Sequence, residues 1–372
     1  MSNCNLLSIY TNGKLYHNFT SYEFLDSLAN ASGEFAFKAT NTVGQEFPFS
    51  KGDACEIFID NNKVMSGFLN MVGGTSDPET HEIRIAGRSK IQDVIDSSIK
   101  GNLDFKNSTD ILTVFRKVFT LNGITGINVK LQDGLTIRRF SQKELISAKT
   151  GDNAFDFLAS YCRIRQVLIT SDENGDIILT RAGSEKYETI LLKEKEGEEN
   201  NILRSDFEDN DSSRFNEYIV LSQSNPIAQK FDVNYVGKQN SPVVDSNIRT
   251  GRVLVVNTEI TSDVQTNTDR AKWESNIRRT KGFQYNCRIR NYYLDAKSKV
   301  LIKSNRIIQV IDDTFGINSE LLIKSCRYIK SPEGTFTDIN LVNKDAFTLE
   351  EQQKGIESRF NTKDDIFPRL GS

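Results

Sequence analysis

Hydrophobic and polar positions alternate with a period of two over most of the first hundred residues. Gly33-Glu-Phe-Ala-Phe-Lys-Ala sets Phe35, Phe37 and Ala39 against polar or small neighbours, the spacing of a strand with one buried face. Ala54 to Asp60, a turn at Asn61-Asn62, and Lys63 to Val72 predict a hairpin. Glu82 to Gly87 alternates again, and after Gly87-Arg88-Ser89-Lys90 the apolar positions Ile91, Val94, Ile95 and Ile99 mark a short helix. Several strands closed by one helix predict a small barrel or strongly curved sheet.

The period then changes. Ile111, Leu112, Phe115 and Val118 recur at helical spacing, with Ser108 or Thr109 as the expected cap. From Glu144 to Gly183 the chain predicts a helix capped by Asp152 or Asn153, with Phe155, Leu158, Ala159 and Cys162 on its apolar face. A hairpin of Val167 to Thr170 and Ile177 to Thr180 follows. Its turn contains Asn174-Gly175, both of which tolerate positive φ. Asp172, Asn174 and Asp176 alternate like the first ligands of a calcium loop. The glycine and glutamate that such a loop needs at its sixth and twelfth positions are here Ile177 and Gly183, so turn chemistry is the better account.

Acidic Glu194 to Glu199 is expected to be an exposed loop or linker. Strand-like runs follow at Glu217 to Gln223, Lys230 to Val236 and Arg252 to Ile260. The helical stretch Asp269 to Lys281 carries the only tryptophan, Trp273, and Ile277. Further strands are expected at Phe283 to Tyr293, Arg306 to Asp312, Ser319 to Ile329 and Thr335 to Val342. Beyond Thr348 the chain is polar, as an extended tail would be. An echo links Gly52-Asp-Ala-Cys-Glu-Ile-Phe-Ile to Gly316-Ile-Asn-Ser-Glu-Leu-Leu-Ile, as a duplicated barrel would produce. The predicted class is α+β, mainly β. A β-barrel spans residues 1–99, a middle α/β domain 100–193, and a second barrel 194–222 with 283–347. An inserted β/helix domain covers 223–282 and a tail 348–372.

A length of 372 residues fits two to four domains at about 100 to 200 residues each. No run approaches the roughly 18 consecutive apolar residues of a membrane span, and the N-terminus carries no recognisable export leader, so synthesis in a cytosol without membrane anchoring is expected. The net charge is −3, with basic and acidic residues mixed, unlike the basic footprint of a nucleic-acid binder. The basic run from Arg278 to Lys281 is expected to be a solvated helix face. Five scattered cysteines without a CxxC pair and two histidines, His17 and His81, suggest neither a disulfide framework nor a metal centre. Cys55, Cys162 and Cys326 are expected to be small buried hydrophobes. Phosphate loops, nucleophile elbows and HExxH are absent. The carboxylate pairs Asp312-Asp313, Asp364-Asp365 and Asp209 with Asp211 could serve as acid and base, although such pairs are more often turn and cap residues. No cofactor is expected.

Four blocks carry a resemblance. The first is HEIRIAGRSKIQDVIDSSI, residues 81–99, with Gly87-Arg88-Ser89, Asp93 and Asp96. The second contains Gly151, Phe155, Leu158, Leu168, Thr170, Asp172, Gly175, Leu179, Thr180, Arg181 and Gly183. The third joins Asn200 to Leu203 with Arg214 to Val220. The last runs from Val310 through Asp312, Asp313, Gly316, Glu320 to Ile323 and Gly334-Thr335 to Asp345-Ala346-Phe347. In this order the chain resembles the baseplate hub family of contractile phage tails, in particular that of phage Mu-like tails.

The resemblance implies a homotrimer in which two related barrels per chain form a pseudo-sixfold ring. That ring would join the tail tube and other baseplate proteins to a separate trimeric spike, and would leave a channel for DNA in passage. It implies a structural protein of the virion, assembled in the host cytoplasm, with no enzymatic step. The alternatives are a tail-tip cell-wall hydrolase or the hub of a non-phage contractile injection device. In the polar tail, Phe360, Phe367, Pro368 and Leu370 are the candidate partner-binding anchors.

Overall fold

The computed structural model describes residues 6–28, 30–40, 48–76, 81–105, 108–141, 144, 146–183, 185–195, 199–221, 242–257, 264–294 and 299–344. About half of the described residues are strand. The first unit contains β1 (Leu7–Thr11), β2 (Lys14–Tyr16), β3 (Ser21–Ser27), β4 (Glu34–Thr40), β5 (Ala54–Ile59), β6 (Asn62–Ser76), β7 (His81–Ser89) and the short helix α1 (Gln92–Ile95). Alternation fixes the buried face: Phe35 and Phe37 of β4 point inward while Glu34 and Lys38 are exposed. Gly87 is required at the β7 crossing, because a Cβ there would lie 2.2 Å from the Phe68 carbonyl oxygen and 2.5 Å from the Phe35 ring.

The middle unit contains β8 (Leu103–Phe105), α2 (Ile111–Asn122), β9 (Val129–Leu131), β10 (Ile146–Ala148), α3 (Ala154–Ile164), β11 (Leu168–Ser171) and β12 (Ile177–Thr180). Its core gathers Val114, Phe115 and Val118 of α2 with Leu158, Tyr161 and Cys162 of α3. Asp110, rather than Ser108 or Thr109, caps α2 by accepting from the Thr113 N–H at 2.9 Å. Thr109 is instead held in a backbone bridge to Phe140. Asn153 caps α3 as expected. In the β11–β12 turn only Gly175 takes positive φ, at 78°. The Gly175 N–H reaches the Asp172 carbonyl, and the Asp172 N–H closes onto the Asp176 carbonyl. This is a tight turn followed by one left-handed glycine, not a two-residue turn with positive φ at both positions.

The rest of the chain holds β13 (Glu185–Lys193), β14 (Ile202–Asp209), β15 (Glu217–Leu221), β16 (Val243–Val244), β17 (Val253–Asn257), α4 (Val264–Gly282), β18 (Phe283–Arg290), β19 (Arg306–Asp312), β20 (Ile317–Ser331) and β21 (Gly334–Asn343). Strand order in the first unit is β3-β4-β7-β6-β5-β1, and in the second it is β14-β18-β21-β20-β19-β13. Taken in chain order these match position by position. Antiparallel pairing of β3 with β20 fuses both units into a single 13-stranded sheet with a shared core.

That equivalence corrects the register of the echo. Gly52 leads into β5, whereas Gly316 leads into β20, whose counterpart is β6; β5 corresponds to β19. Both β6 and β20 are 15 residues long and each carries a bulge against its partner, between Leu69 and Met71 in one and between Ile323 and Ser325 in the other.

Two further placements differ from expectation. β13 pairs in parallel with β19 and so lies in the large sheet, not in the middle unit. The acidic stretch 194–199 therefore connects two strands of one unit, with the Glu194 N–H on Asn200 Oδ1 at 2.7 Å. β15 leaves the large sheet altogether to form a three-stranded sheet with β16 and β17, covered by α4 through Tyr218, Val220 and Ala271. α4 also starts earlier than its apolar spacing predicts, because its first turns are polar yet buried at Thr266 and Asn267. The expected strand Lys230 to Val236 lies outside the described residues.

Candidate partner-binding surface of the double sheet

The fused sheet turns one face to the core and the other to solvent. Outward positions follow from the alternation: Glu82, Arg84 and Arg88 on β7, Glu34 and Lys38 on β4, and Glu23 on β3. They continue with Arg327 on β20, Asp338 on β21, Arg288 on β18, and Arg204 and Asp206 on β14. Opposite charges interleave and pair both across strands and along them. Arg288 grips Asp338 through Nε and Nη2 at 2.6 and 2.8 Å. Arg327 lies 3.7 Å from Glu23, Arg84 lies 3.3 Å from Glu82, and Asn286 donates to Asp206 at 2.8 Å. Two open grooves of about 380 and 330 Å³ cross this face, sharing Leu25 and Arg327. The groove walls thus mix polar and apolar side chains and carry charges of both signs, several of them paired.

The sequence-derived carboxylate pairs do not converge on a reacting position. Asp312 is fully buried and accepts from Ser205 Oγ at 2.6 Å, Tyr285 OH at 2.7 Å and the Thr314 N–H at 2.9 Å. Burial pushes its carboxyl up, but these donors together hold it below the usual range. Asp313 next to it is exposed. Asp209 and Asp211 are exposed, and Asp211 faces Arg249 and Arg252 at 3.7 Å. Asp364 and Asp365 lie outside the described residues, as do Phe360, Phe367, Pro368 and Leu370. Asp172 and Asp176 are engaged as turn residues: Asp172 Oδ1 accepts from the Asn174 and Asp176 N–H groups, and Asp176 from Asn128 and Lys130. Among the described residues no cluster of His, Cys, Asp and Glu could hold a metal ion.

Buried ion pairs that sequence reasoning missed fix the accessory units. Glu144 is buried with Arg165, Nη2 to Oε1 at 2.8 Å, and accepts from Thr266 Oγ1 of α4 at 3.0 Å and the Ser141 N–H at 2.7 Å. Burial raises the Glu144 carboxyl, but the Ser141, Arg165 and Thr266 donors bring it below the ordinary value. Asp245, fully buried, takes Arg214 at 2.8 Å and Arg279 at 3.2 Å. Arg278 reaches the Ser213 carbonyl and lies over the Phe215 ring at 5.1 Å. Arg278 and Arg279 of the basic run on α4 are therefore turned onto β15 and its flanks, not solvated as the composition of the run suggests. Partners so far apart in sequence leave no local signal. Cys55, Cys162 and Cys326 are buried as expected, with Cys287, and burial pushes the Cys55 thiol up to about 12.

Residues 6–89 match the family described as Mu phage baseplate assembly protein GpP-like, N-terminal. Residues 263–350 match the fourth domain of Mu phage baseplate assembly protein GpP. Baseplate hub protein gp44 of Escherichia phage Mu is 23% identical over 355 residues, covering 93% of this chain and 89% of that protein. By these matches the chain is similar to the phage Mu-like baseplate hub family.

Two solved structures share the fold. The tail protein of prophage MuSo2 from Shewanella oneidensis superposes with a TM-score of 0.75 at 22% identity, over 93% of this chain and 100% of that one. The tail protein from Neisseria meningitidis MC58 gives 0.75 at 18% identity, over 92% and 98%. The first matched segment holds β1 to β7 and the second holds α4 with β18 to β21, whereas β13 and β14 of the second sub-sheet lie outside it.

The first block of the resemblance, residues 81–99, also gains a physical account. Gly87 makes room for Phe35, Arg88 pairs with Asp96, and Ser89 is buried against Ser32 Oγ at 3.0 Å. No helix is long and apolar enough to cross a membrane, among the described residues.

Proposed function

We propose that this protein is the structural hub of a phage tail baseplate, a homotrimeric ring that joins the tail tube and neighbouring baseplate proteins to a trimeric spike and leaves a channel for DNA. The observation that carries this reading is the repeated strand order of the two fused sub-sheets. Three copies of a chain with two equivalent units offer six like surfaces to a sixfold tube, while the parts present once per chain offer three to a spike. The sub-sheets would be the ring-forming barrel domains, with the middle unit and the β15 to α4 unit as additions outside the ring.

The polar face of the sheet suits a channel wall. Its cations are matched by neighbouring carboxylates, so a passing polyanion meets little net attraction, and few counterions would be released by binding. The role needs no covalent step. The protein would be a virion component of the tail baseplate, assembled in the host cytoplasm.

A solution mass measurement of the protein, alone and mixed with the candidate spike protein, tests the proposal. From a 42.1 kDa chain a trimer of about 126 kDa is expected in at least one sample. A monomer in both samples would overturn the hub reading. Purified protein is expected to leave peptidoglycan intact; clearing abolished by Asp312→Asn or Asp313→Asn would favour a hydrolase instead.

A further inference from the structure

The β11–β12 hairpin of the middle unit is fastened to both sub-sheets, at its tip to the first and at its root to the second. At the tip, Lys63 Nζ of β6 donates to Asn174 Oδ1 at 2.6 Å and Ser66 Oγ donates to the Glu173 carbonyl at 2.8 Å. Gly175 lies against the Lys90 side chain, where a Cβ would come within 2.9 Å of Cδ. At the root, the Gly183 N–H donates to Asn305 Oδ1 at 2.9 Å, and Asn305 Nδ2 reaches Thr180 Oγ1 at 3.3 Å. Asn305 is tied in turn to β20, its own N–H on the Ile323 carbonyl at 2.9 Å.

Between these fixings the hairpin faces the joint of the double sheet. A cavity of about 260 Å³ is lined on one side by Phe24, Asp26 and Tyr328, from β3 and β20, and on the other by Thr170, Ser171 and Ile178 of the hairpin. The two fixings differ in kind. The root is packed as well as hydrogen-bonded: Leu168 and Ala182 share an apolar cluster with Leu322 and Val342, and a Cβ on Gly183 would meet Ile307 at 3.1 Å. The tip is held by polar contacts near solvent, with the Lys63–Asn174 pair exposed, so it is the end that lets go first.

The joint itself runs only from Ser27 opposite Ser325 to Tyr22 opposite Lys330. Twist between neighbouring strands ranges from roughly −10 to −35°, so one short ladder leaves the angle between the sub-sheets soft. We propose that the β11–β12 hairpin is a strap that fixes this angle, bracing the first sub-sheet against the second across their joint, and that its tip is the releasable end. While the tip is fastened, Lys63 and Asn305 cannot part without drawing out the hairpin, which the parallel β9–β12 ladder holds to the rest of the middle unit. The middle unit thereby acts on the double sheet as well as being carried by it. The inference concerns a single chain and stands apart from the ring proposed above.

Amide hydrogen exchange of the full chain tests it, in parent and variants of equal solution mass. Lys63→Ala with Ser66→Ala removes both tip hydrogen bonds and should speed exchange across the β3–β20 ladder about tenfold, as the loss of two bonds of modest net strength would. Residues of β18, which pair with β14 and β21 away from the joint, should keep the parent rate. Gly175→Ala, strained at φ 78° and crowded by Lys90, should speed the same joint amides. Lys63→Arg, which keeps a donor at the tip, should leave them unchanged. Joint amides at the parent rate in both tip-releasing variants would overturn the strap, because the sheet would then hold the hairpin without being held by it. Exchange of β18 speeded by the same factor as the joint would overturn it too, as a loss of global stability.

Discussion

Where β3 meets β20, the two halves of the double sheet are joined by backbone pairing and aromatic packing. Phe24 stacks on Tyr328 at 5.6 Å, with Tyr292 set edge-on to Tyr328 at 5.5 Å. Where the middle unit meets α4, the joint is instead a buried carboxylate and guanidinium, Glu144 and Arg165, completed by Thr266. The two joints fail differently. Apolar packing loses stability in proportion to the atoms removed. A buried ion pair contributes modestly while intact but is costly once one member is left without the other. The accessory joint is therefore close to all-or-none and selects one docking geometry, whereas the sheet joint supplies bulk stability.

Breaking the ionic joint should give the largest effect. Glu144→Ala strands the Arg165 guanidinium and is expected to cost about 3–5 kcal/mol in urea unfolding. The double replacement Glu144→Met with Arg165→Met should recover most of that loss. If it recovers none, the pair stabilises through more than charge compensation.

Acid should separate the joints next. The Glu144 and Asp245 carboxyls lie below their ordinary values in the fold. Their contribution is complete above the unfolded carboxylate pKa of about 4 and is lost as pH falls through the folded values. Hydrogen exchange between pH 7 and pH 5 should show little change. Below about pH 4, amides of α4 and α3 should lose protection before those of β20 and β21.

A one-methylene change in the sheet core sharpens the contrast from the other side. Ile339→Val, in the buried row between Cys287 and Cys326, is expected to cost about 0.5–1.5 kcal/mol with an unchanged m-value. The smallest effect should come from the outward face. Arg288→Ala removes a pair in which both side chains are more than a third exposed, so about 0–1 kcal/mol is expected. A larger loss would mean that the face is covered in the measured state.

Much of the sheet could be read from alternation alone. β4 and β18 appear in the sequence as runs with every second residue apolar, and each lies where that pattern puts it. Pairing partners were less legible. β13 joins the second unit through a parallel ladder to a strand more than a hundred residues later, and nothing in Glu185 to Lys193 itself announces that neighbour. The Gly52 and Gly316 echo matched unlike strands because a turn glycine followed by alternating aliphatic residues is common to most hairpins. The repeat is written in strand order rather than in residues. On the outward face, single charged residues in strands are ordinary surface chemistry, and only the three-dimensional pairing of Arg288 with Asp338 or Arg327 with Glu23 shows that the face is balanced.

The β3–β20 joint also sets a timetable. Its strands are separated by roughly 300 residues of chain, and at ribosomal speeds of about 5–20 residues per second the edge of β3 waits roughly 15–60 s for its neighbour to be made. During that interval Phe24 and Tyr22 stand on an open strand, and contacts this distant close slowly even once synthesis ends. Production of the protein should therefore be limited by how well the nascent first sheet is shielded, and overexpression at low temperature or with added chaperone should raise soluble yield more than any surface substitution.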